Sequence, residues 1–293
     1  MNTDYNLYKI FLYLFEERSI SKTASKLYVS QPAISYSLKE LESQLGYTLF
    51  YRNSKGIEPT TEAKELYGYI STAFHILNDA EEHIKNLNQL NTGTVRIGIP
   101  SYLGIFFLSP YILEFRKQYP AITFEIICEN TDKMIEMLEV RKIDMIIDTK
   151  MITSKKEINK TFLKKLENCF VYHKNYNGNV RIEKGSDFNK YPFLLPSTNS
   201  NSRGKLDEFL DKNNIRINSI LESNSYEILL EMVRQGVGIG FFLKNMIDNQ
   251  TDKDDFKIIS TSLEIPKMDL NCFTINDYLT VATTKFIELL KEK

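Results

Sequence analysis

The sequence predicts an N-terminal all-α winged helix-turn-helix, one long linker helix, and then an α/β region that repeats a strand–helix theme. Three observations carry this prediction. Ser19 to Phe50 reads as two short helices about a tight turn. From Leu66 onward, apolar residues alternate spacings of four and three without a break. Beyond Gly93, apolar strands alternate with amphipathic helices, the pattern of a doubly wound sheet.

Asp4 to Glu17 forms a first amphipathic helix, with Leu7, Ile10, Phe11, Leu14 and Phe15 on one side. A second opens near Ser21, with Ala24 and Leu27 inward, and Tyr28-Val29-Ser30 makes the turn. Ser30 suits an N-cap, because its hydroxyl can accept from first-turn N–H groups that lack intrahelical partners. Pro32 is tolerated for the same reason. Ile34, Leu38, Leu41 and Leu45 then define a buried stripe. The opposite face presents Gln31, Ser35, Tyr36 and Lys39, side chains suited to a groove of bases and phosphates. Ser21, Ser30 and Pro32 complete the candidate contacts on these helices. Leu49 to Arg52 and Gly56-Ile57 read as a two-stranded wing turning at residues 53–56, from which Arg52 and Lys55 can reach phosphates.

Thr60 to Leu90 is one helix whose seam runs Leu66, Ile70, Ala73, Leu77, Ala80, Ile84, Leu87. A lone seam leaves those residues uncovered, so a second copy of the chain is expected against it. His75 and His83 fall off the seam and read as surface residues. Asn91-Thr92-Gly93 is a linker. Strands are expected at Thr94–Ile99, Ile122–Cys128 and Ile143–Ile147, with helices at Leu103–Gln118 and Lys133–Val140. The theme recurs with strands near Phe170-Val171 and Phe193–Leu195 and helices near Lys205–Lys212 and Tyr226–Gln235. Leu270–Ile275 and Tyr278–Lys291 supply a last strand and helix.

Ser30-Gln31-Pro32-Ala33-Ile34-Ser35, Leu41-Glu42, Leu45-Gly46 and Leu49-Phe50-Tyr51-Arg52 stand at fixed offsets. In these residues the stretch resembles the DNA-binding domain of the LysR-type transcriptional regulators. Thr23, Pro59 and Ala63 depart from the family pattern, and all three bear on local packing rather than on the groove-facing side. The resemblance implies a DNA-binding domain at 1–59 and a dimerising linker helix at 60–91. It also implies a periplasmic-binding-protein-like effector domain of two α/β lobes joined by two chain crossings. Lobe I then spans 92–161 and is completed by 267–293, and lobe II spans 162–266.

Ligands of open α/β sheets bind beyond the carboxyl ends of strands, where helix N-termini direct N–H groups inward. Three loops fit: Ser101-Tyr102, Asp148-Thr149, and Ser197-Thr198-Asn199. Turn and cap chemistry is the competing explanation for each. The family has cleft-lining positions matching Ser101 and Thr198, and a Gly-rich turn beside the cleft where Gly236–Gly240 stands here. Gly238 joins the effector candidates on that basis, and Arg203 because it and Arg234 are the basic residues nearest these loops, although a surface or interlobe salt bridge is the more ordinary use of either. The polar loops suit a small anion, and hydroxyl-lined sites of this kind also bind neutral or aromatic compounds.

A net charge of −1, with eight basic and eight acidic residues through position 65, means that any DNA binding rests on the placement of charge. No run approaches the roughly 18 apolar residues of a membrane span, so no membrane partner is expected and the compartment is read as cytoplasmic. Cys128, Cys169 and Cys272 are far apart, with neither zinc spacing nor the thiol pair that a peroxide-sensing member of the family would need. No catalytic residue, metal or cofactor is expected. The partners implied are a dyad-symmetric double-stranded promoter site, a small-molecule effector, further copies of the chain in a dimer or tetramer, and RNA polymerase. An enzyme with an appended helix-turn-helix is the alternative, but hydrolase and dehydrogenase motifs are absent. A DNA-compacting protein without an effector is a third possibility.

Overall fold

The structure is a computed structural model, and it describes residues 4–53, 56–85, 93–154, 156–198, 200–275 and 279–292, without the side chains of 53, 79, 82, 83 and 85. The N-terminal unit packs α1 (Tyr5–Glu17), α2 (Ile20–Leu27) and α3 (Gln31–Leu45) around Phe11, Leu14, Ile34 and Leu41, all fully buried. Asp4, Ser19 and Ser30 each cap a helix, their side chains accepting from a first-turn N–H. Each helix ends on a left-handed residue, Arg18, Tyr28 or Gly46. The hydroxyl of Thr23, one of the departures from the family pattern, is buried without a hydrogen-bond partner among the described residues.

The wing pairs β1 (Phe50–Asn53) antiparallel with β2 (Gly56–Pro59). Glu42 fixes its entry: one carboxylate oxygen accepts from Leu49 N at 2.7 Å and Phe50 N at 3.3 Å. Thr60 starts the linker helix, donating to Thr48 O and accepting from Ala63 N. That helix, α4, is described over Thr61–Lys85, so Leu87 of the predicted seam lies outside the described residues. Its buried face is Ala63, Tyr67, Ser71 and Phe74. The predicted seam lies to one side of it: Leu66 and Ile70 are half-buried, while Ala73, Leu77, Ala80 and Ile84 are exposed or half-exposed in the single chain.

Beyond the linker, nine strands among the described residues form one sheet. They are β3 (Gly93–Gly98), β4 (Ile122–Ile127), β5 (Met145–Asp148), β6 (Ile158–His173), β7 (Pro192–Pro196), β8 (Asn218–Ser223), β9 (Ile239–Leu243), β10 (Phe256–Ile258) and β11 (Lys267–Ile275). The order is β4-β3-β5-β11-β6-β9-β7-β8, with β10 on β6. Strands β3, β4 and β5 pair in parallel, as do β7, β8 and β9, so each lobe keeps a parallel core. The antiparallel pair β6/β11 joins the two halves. The sequence reading places only a short strand near Phe170-Val171; in fact β6 runs sixteen residues. Its first half is largely exposed between lobes and carries Lys160, Lys164 and Lys165, which hide the alternation expected of a strand.

The helix expected from Leu103 opens at Ser101. Here α5 (Ser101–Leu103) passes through one wide π turn, Gly104–Leu108, into α6 (Ser109–Gln118). The wider turn precedes Pro110, whose ring would clash with a carbonyl of a regular preceding turn. The remaining α-helices among the described residues are α7 (Thr131–Glu139), α8 (Asn201–Lys212), α9 (Tyr226–Arg234), α10 (Lys244–Asp248) and α11 (Val281–Lys291). Gly236 closes α9 with φ +78°.

Among the described residues, lobe I meets the N-terminal unit where the 140–142 turn packs on α1 and α4. Val140 packs beside α4, its carbonyl accepting from Ser71 Oγ at 3.2 Å. Lys142 pairs with Glu16 of α1 at 3.0 Å and stands 5.3 Å from the centre of the Tyr67 ring. The Tyr67 hydroxyl donates to the same Glu16 carboxylate at 3.1 Å. Arg141, between Val140 and Lys142, is left-handed at φ +57°.

Candidate functional site

Two surfaces gather the predicted site residues. On the first, Gln31, Pro32, Ser35 and Arg52 line one shallow groove with Ile20. The α3 cap orients its opening turn outward: Ser30 Oγ accepts from Ala33 N at 3.3 Å, leaving Gln31 and Pro32 exposed. Arg52 extends from β1 to donate to Ser35 Oγ at 3.4 Å, so wing and helix share the groove. Tyr36 and Lys39 are exposed farther along α3. Ser21 lies in a separate shallow depression with Glu17, Lys22, Ser25 and Lys26, its hydroxyl 3.0 Å from that of Ser19. Lys55 lies outside the described residues. Tyr28, the most exposed large side chain of the turn, carried no signal beyond its position.

The second surface is the seam between lobes. Asp148, at the end of β5, is buried; its carboxylate accepts from Thr149 N at 2.6 Å, Lys150 N at 3.1 Å and Thr131 Oγ1 at 2.9 Å. Burial raises its pKa, and these three donors oppose the rise. Thr149 is itself buried and accepts from Asn201 Nδ2 of the other lobe at 3.2 Å. Tyr102 from lobe I and Tyr226 from lobe II are both buried, with ring centroids 4.4 Å apart. Burial pushes the Tyr226 phenol up to about 12 and raises that of Tyr102 well above its ordinary value, so both remain neutral hydrogen-bonding groups. Ser202 is buried beside Tyr226, whose phenol its hydroxyl holds down against the effect of burial. On the sheet side of Thr149 and Asn201 a cavity of about 870 Å³ opens over β6 and β11, walled by α8.

The predicted effector residues divide on this geometry. Thr149 lines the cavity, and Tyr102 sits in the closed part of the seam. Ser101 is exposed at the start of α5. Ser197 and Thr198 occupy the turn leading into α8, where Ser197 N donates to Ser223 O and Ser197 O accepts from Ser200 N. Asn199 lies outside the described residues. Arg203 does not face the cleft: it donates to Asp207, Glu222 and the Pro196 carbonyl, all within its own lobe. Three acceptors thus already engage the guanidinium. Gly238 is also a packing residue, since a Cβ there would meet Pro192 O at 2.6 Å. Arg234 is tied to Asp252 and Glu231, again within one lobe. His75, read as a surface residue, is half-buried.

Sequence reasoning missed Asn201, Ser202 and Tyr226, which belong to helix first turns and read there as capping or core residues. It also missed the lysines around the cavity. Cys169 and Cys272 are buried with thiols pushed up to about 12, and Cys128 is exposed. Among the described residues no group of three metal-ligating side chains converges. No described helix is long and apolar enough to cross a membrane.

Two family models match the chain: "Bacterial regulatory helix-turn-helix protein, lysR family" over residues 5–64, and "LysR substrate binding domain" over residues 88–293. The HTH-type transcriptional regulator CysL of Bacillus subtilis is 23% identical over 99% of this chain and 94% of its own. A shorter match, 37% identical over 42% of each chain, is to an HTH-type transcriptional regulator of unassigned role, YraN, also of Bacillus subtilis. Among solved structures, a full-length single-substitution variant of OxyR from Pseudomonas aeruginosa superposes with a TM-score of 0.76 at 16% identity, covering 99% of this chain and 97% of that one. Full-length CbnR complexed with its target DNA gives 0.71 at 15% identity, covering 99% of each.

Proposed function

The chain belongs to the LysR family of transcriptional regulators, with a DNA-binding helix-turn-helix and an effector-binding domain, and we propose how its residues divide the two tasks. The opening turn of α3 enters the major groove of a dyad-symmetric site. Gln31 and Ser35 read base edges, while Ser21, Ser30, Tyr36, Lys39 and Arg52 hold phosphates on either side. The observation that carries this reading is the shared groove of Gln31, Pro32, Ser35 and Arg52. A second chain covers the exposed seam of α4, so that paired recognition helices meet successive half-sites as a dimer, or as two dimers in a tetramer. The work is cytoplasmic, RNA polymerase is the partner that reads the outcome, and no catalysis is involved.

The effector occupies the interlobe cavity beside Thr149 and Asn201, and closure about the β6/β11 crossing carries its signal. Lobe I transmits it through Val140 and Lys142 to α4 and to Glu16 of the DNA-binding unit. The DNA half is tested by footprinting and binding titrations across salt. Gln31→Ala should relax base preference by about 1–3 kcal/mol at one position. Arg52→Ala should weaken every sequence alike and lower the log–log salt slope by about one. An Arg52→Ala slope equal to that of wild type would remove the wing from the interface.

A further inference from the structure

From the charges around the interlobe cavity we infer that the effector is a hydroxylated polyanion, a small metabolite bearing two or more negative groups. This rests on the interlobe cavity being the effector site, and it names the ligand class. Lys160 and Lys165 are five residues apart on β6 and would point to opposite faces of an unbroken strand. The ladder with β11 slips between Leu270 and Asn271, however, passing from Leu270↔Lys164 to Asn271↔Phe162. This bulge at Leu163 brings Lys160, Lys165, Asp269 and Asn271 onto one face. On α8, Asn201, Lys205 and Lys212 stand at spacings of four and seven, which also share a face. Both faces line the cavity.

Six lysines therefore surround it: Lys150, Lys160, Lys165 and Lys267 from lobe I and the crossing strands, and Lys205 and Lys212 from lobe II. The acids there are Glu208, Glu264 and Asp269, so six positive charges face three negative ones in a chain whose net charge is −1. Lys205 pairs with Glu208 at 2.7 Å, Lys267 with Glu167 at 2.7 Å, Lys150 with Asp132 at 3.8 Å and Lys165 with Asp269 at 4.0 Å. Lys160 and Lys212, one in each wall, have no ion pair among the described residues.

Like charges on opposing lobes resist closure until a ligand of opposite sign bridges them. A monoanion neutralises one wall; a polyanion reaches both. Asn271 adds a neutral requirement. Its Nδ2 donates to Asp269 O at 3.0 Å, while its Oδ1, buried at the cavity, accepts from no donor among the described residues. A ligand hydroxyl supplies the missing donor, and a buried acceptor left unpaired discriminates against ligands that lack one. Polycarboxylates and sugar phosphates share this chemistry.

Isothermal titration and thermal melting of the full-length protein at constant ionic strength test the assignment, with citrate and fructose 1,6-bisphosphate as probes. Tricarballylate, which is citrate without its hydroxyl, and acetate serve as comparisons. Citrate or the bisphosphate should raise the melting midpoint, and whichever does so identifies carboxylate or phosphate as the anionic group. Tricarballylate should bind more weakly than citrate, and acetate should be silent. Lys160→Gln and Lys212→Gln, both exposed and remote from the cores, should each weaken binding about tenfold. If neither polyanion exceeds the effect of chloride at equal ionic strength, or if the Lys160→Gln/Lys212→Gln variant retains wild-type affinity, the polyanion assignment is overturned. If a neutral or monoanionic metabolite instead stabilises the protein and Asn201→Ala abolishes that response, the cavity remains the effector site and only the ligand class fails.

Discussion

His75 lies off the apolar seam of α4, where periodicity alone implies solvent, yet it is half-buried near Arg96 with Lys142, Arg141 and Glu16 close by. Burial, aided by the Arg96 charge and opposed by Glu16, lowers its pKa to about 4. The folded chain therefore holds this imidazole neutral while the unfolded chain protonates it near 6.5. Its contribution to stability is present above about pH 6.5 and is lost as pH falls toward 4. Chemical denaturation across that window should show wild type losing stability more steeply than His75→Gln; equal slopes would show that His75 titrates as a solvent-exposed group. Arg203 and Gly238 make the same point in reverse. Each residue type fits a ligand loop, but Asp207, Glu222 and the Pro196 carbonyl claim the guanidinium, and Pro192 O claims the space beside the glycine. In both cases the fold, and not the residue type, sets the partners.

Among the elements, α3 and α4 were the most legible. Ser30 capping, Pro32 in the first turn and the stripe of Ile34, Leu38 and Leu41 all follow local rules and appear as expected. In α4 the heptad seam and the buried face are distinct, and Leu77 and Ile84 remain 47% and 65% exposed in one chain. Apolar side chains of that size at seam spacing require a cover. Leu77→Asp with Ile84→Asp should leave the three-helix unit folded and yield a monomer by light scattering, with DNA affinity for a dyad site reduced by at least about a hundredfold as avidity is lost. A variant that remains dimeric would place the principal interface elsewhere. Strand β6 was the least legible element, because its charged residues serve a cavity and its bulge is set by pairing with β11, which follows much later in the chain.

For the whole molecule, Glu16, Tyr67, Ser71, Val140 and Lys142 form a junction between lobe I and the N-terminal unit. The Lys142–Glu16 pair is about one-third exposed at each end, so its direct worth to stability is small, about 1 kcal/mol or less. Its larger effect should be on coupling. Lys142→Ala should keep DNA affinity and effector affinity within a few-fold of wild type while reducing the effector-dependent change in the footprint. An unchanged effector response in that variant would exclude this route.

The order of units, the recognition helix and the heptad seam of α4 were determined by the sequence itself. Caps, periodic apolar faces and the motif from Ser30 to Arg52 act through neighbours a few residues away. The two-lobed topology followed from the family resemblance rather than from any local rule. Only the tertiary structure decided which polar residues face the cleft, which arginines are already engaged, and that six lysines from both lobes share one cavity. Those outcomes depend on strand register and on the approach of segments far apart in the chain, and a hydroxyl, amide or ammonium group carries the same local signature whether it meets a ligand, a carbonyl or water.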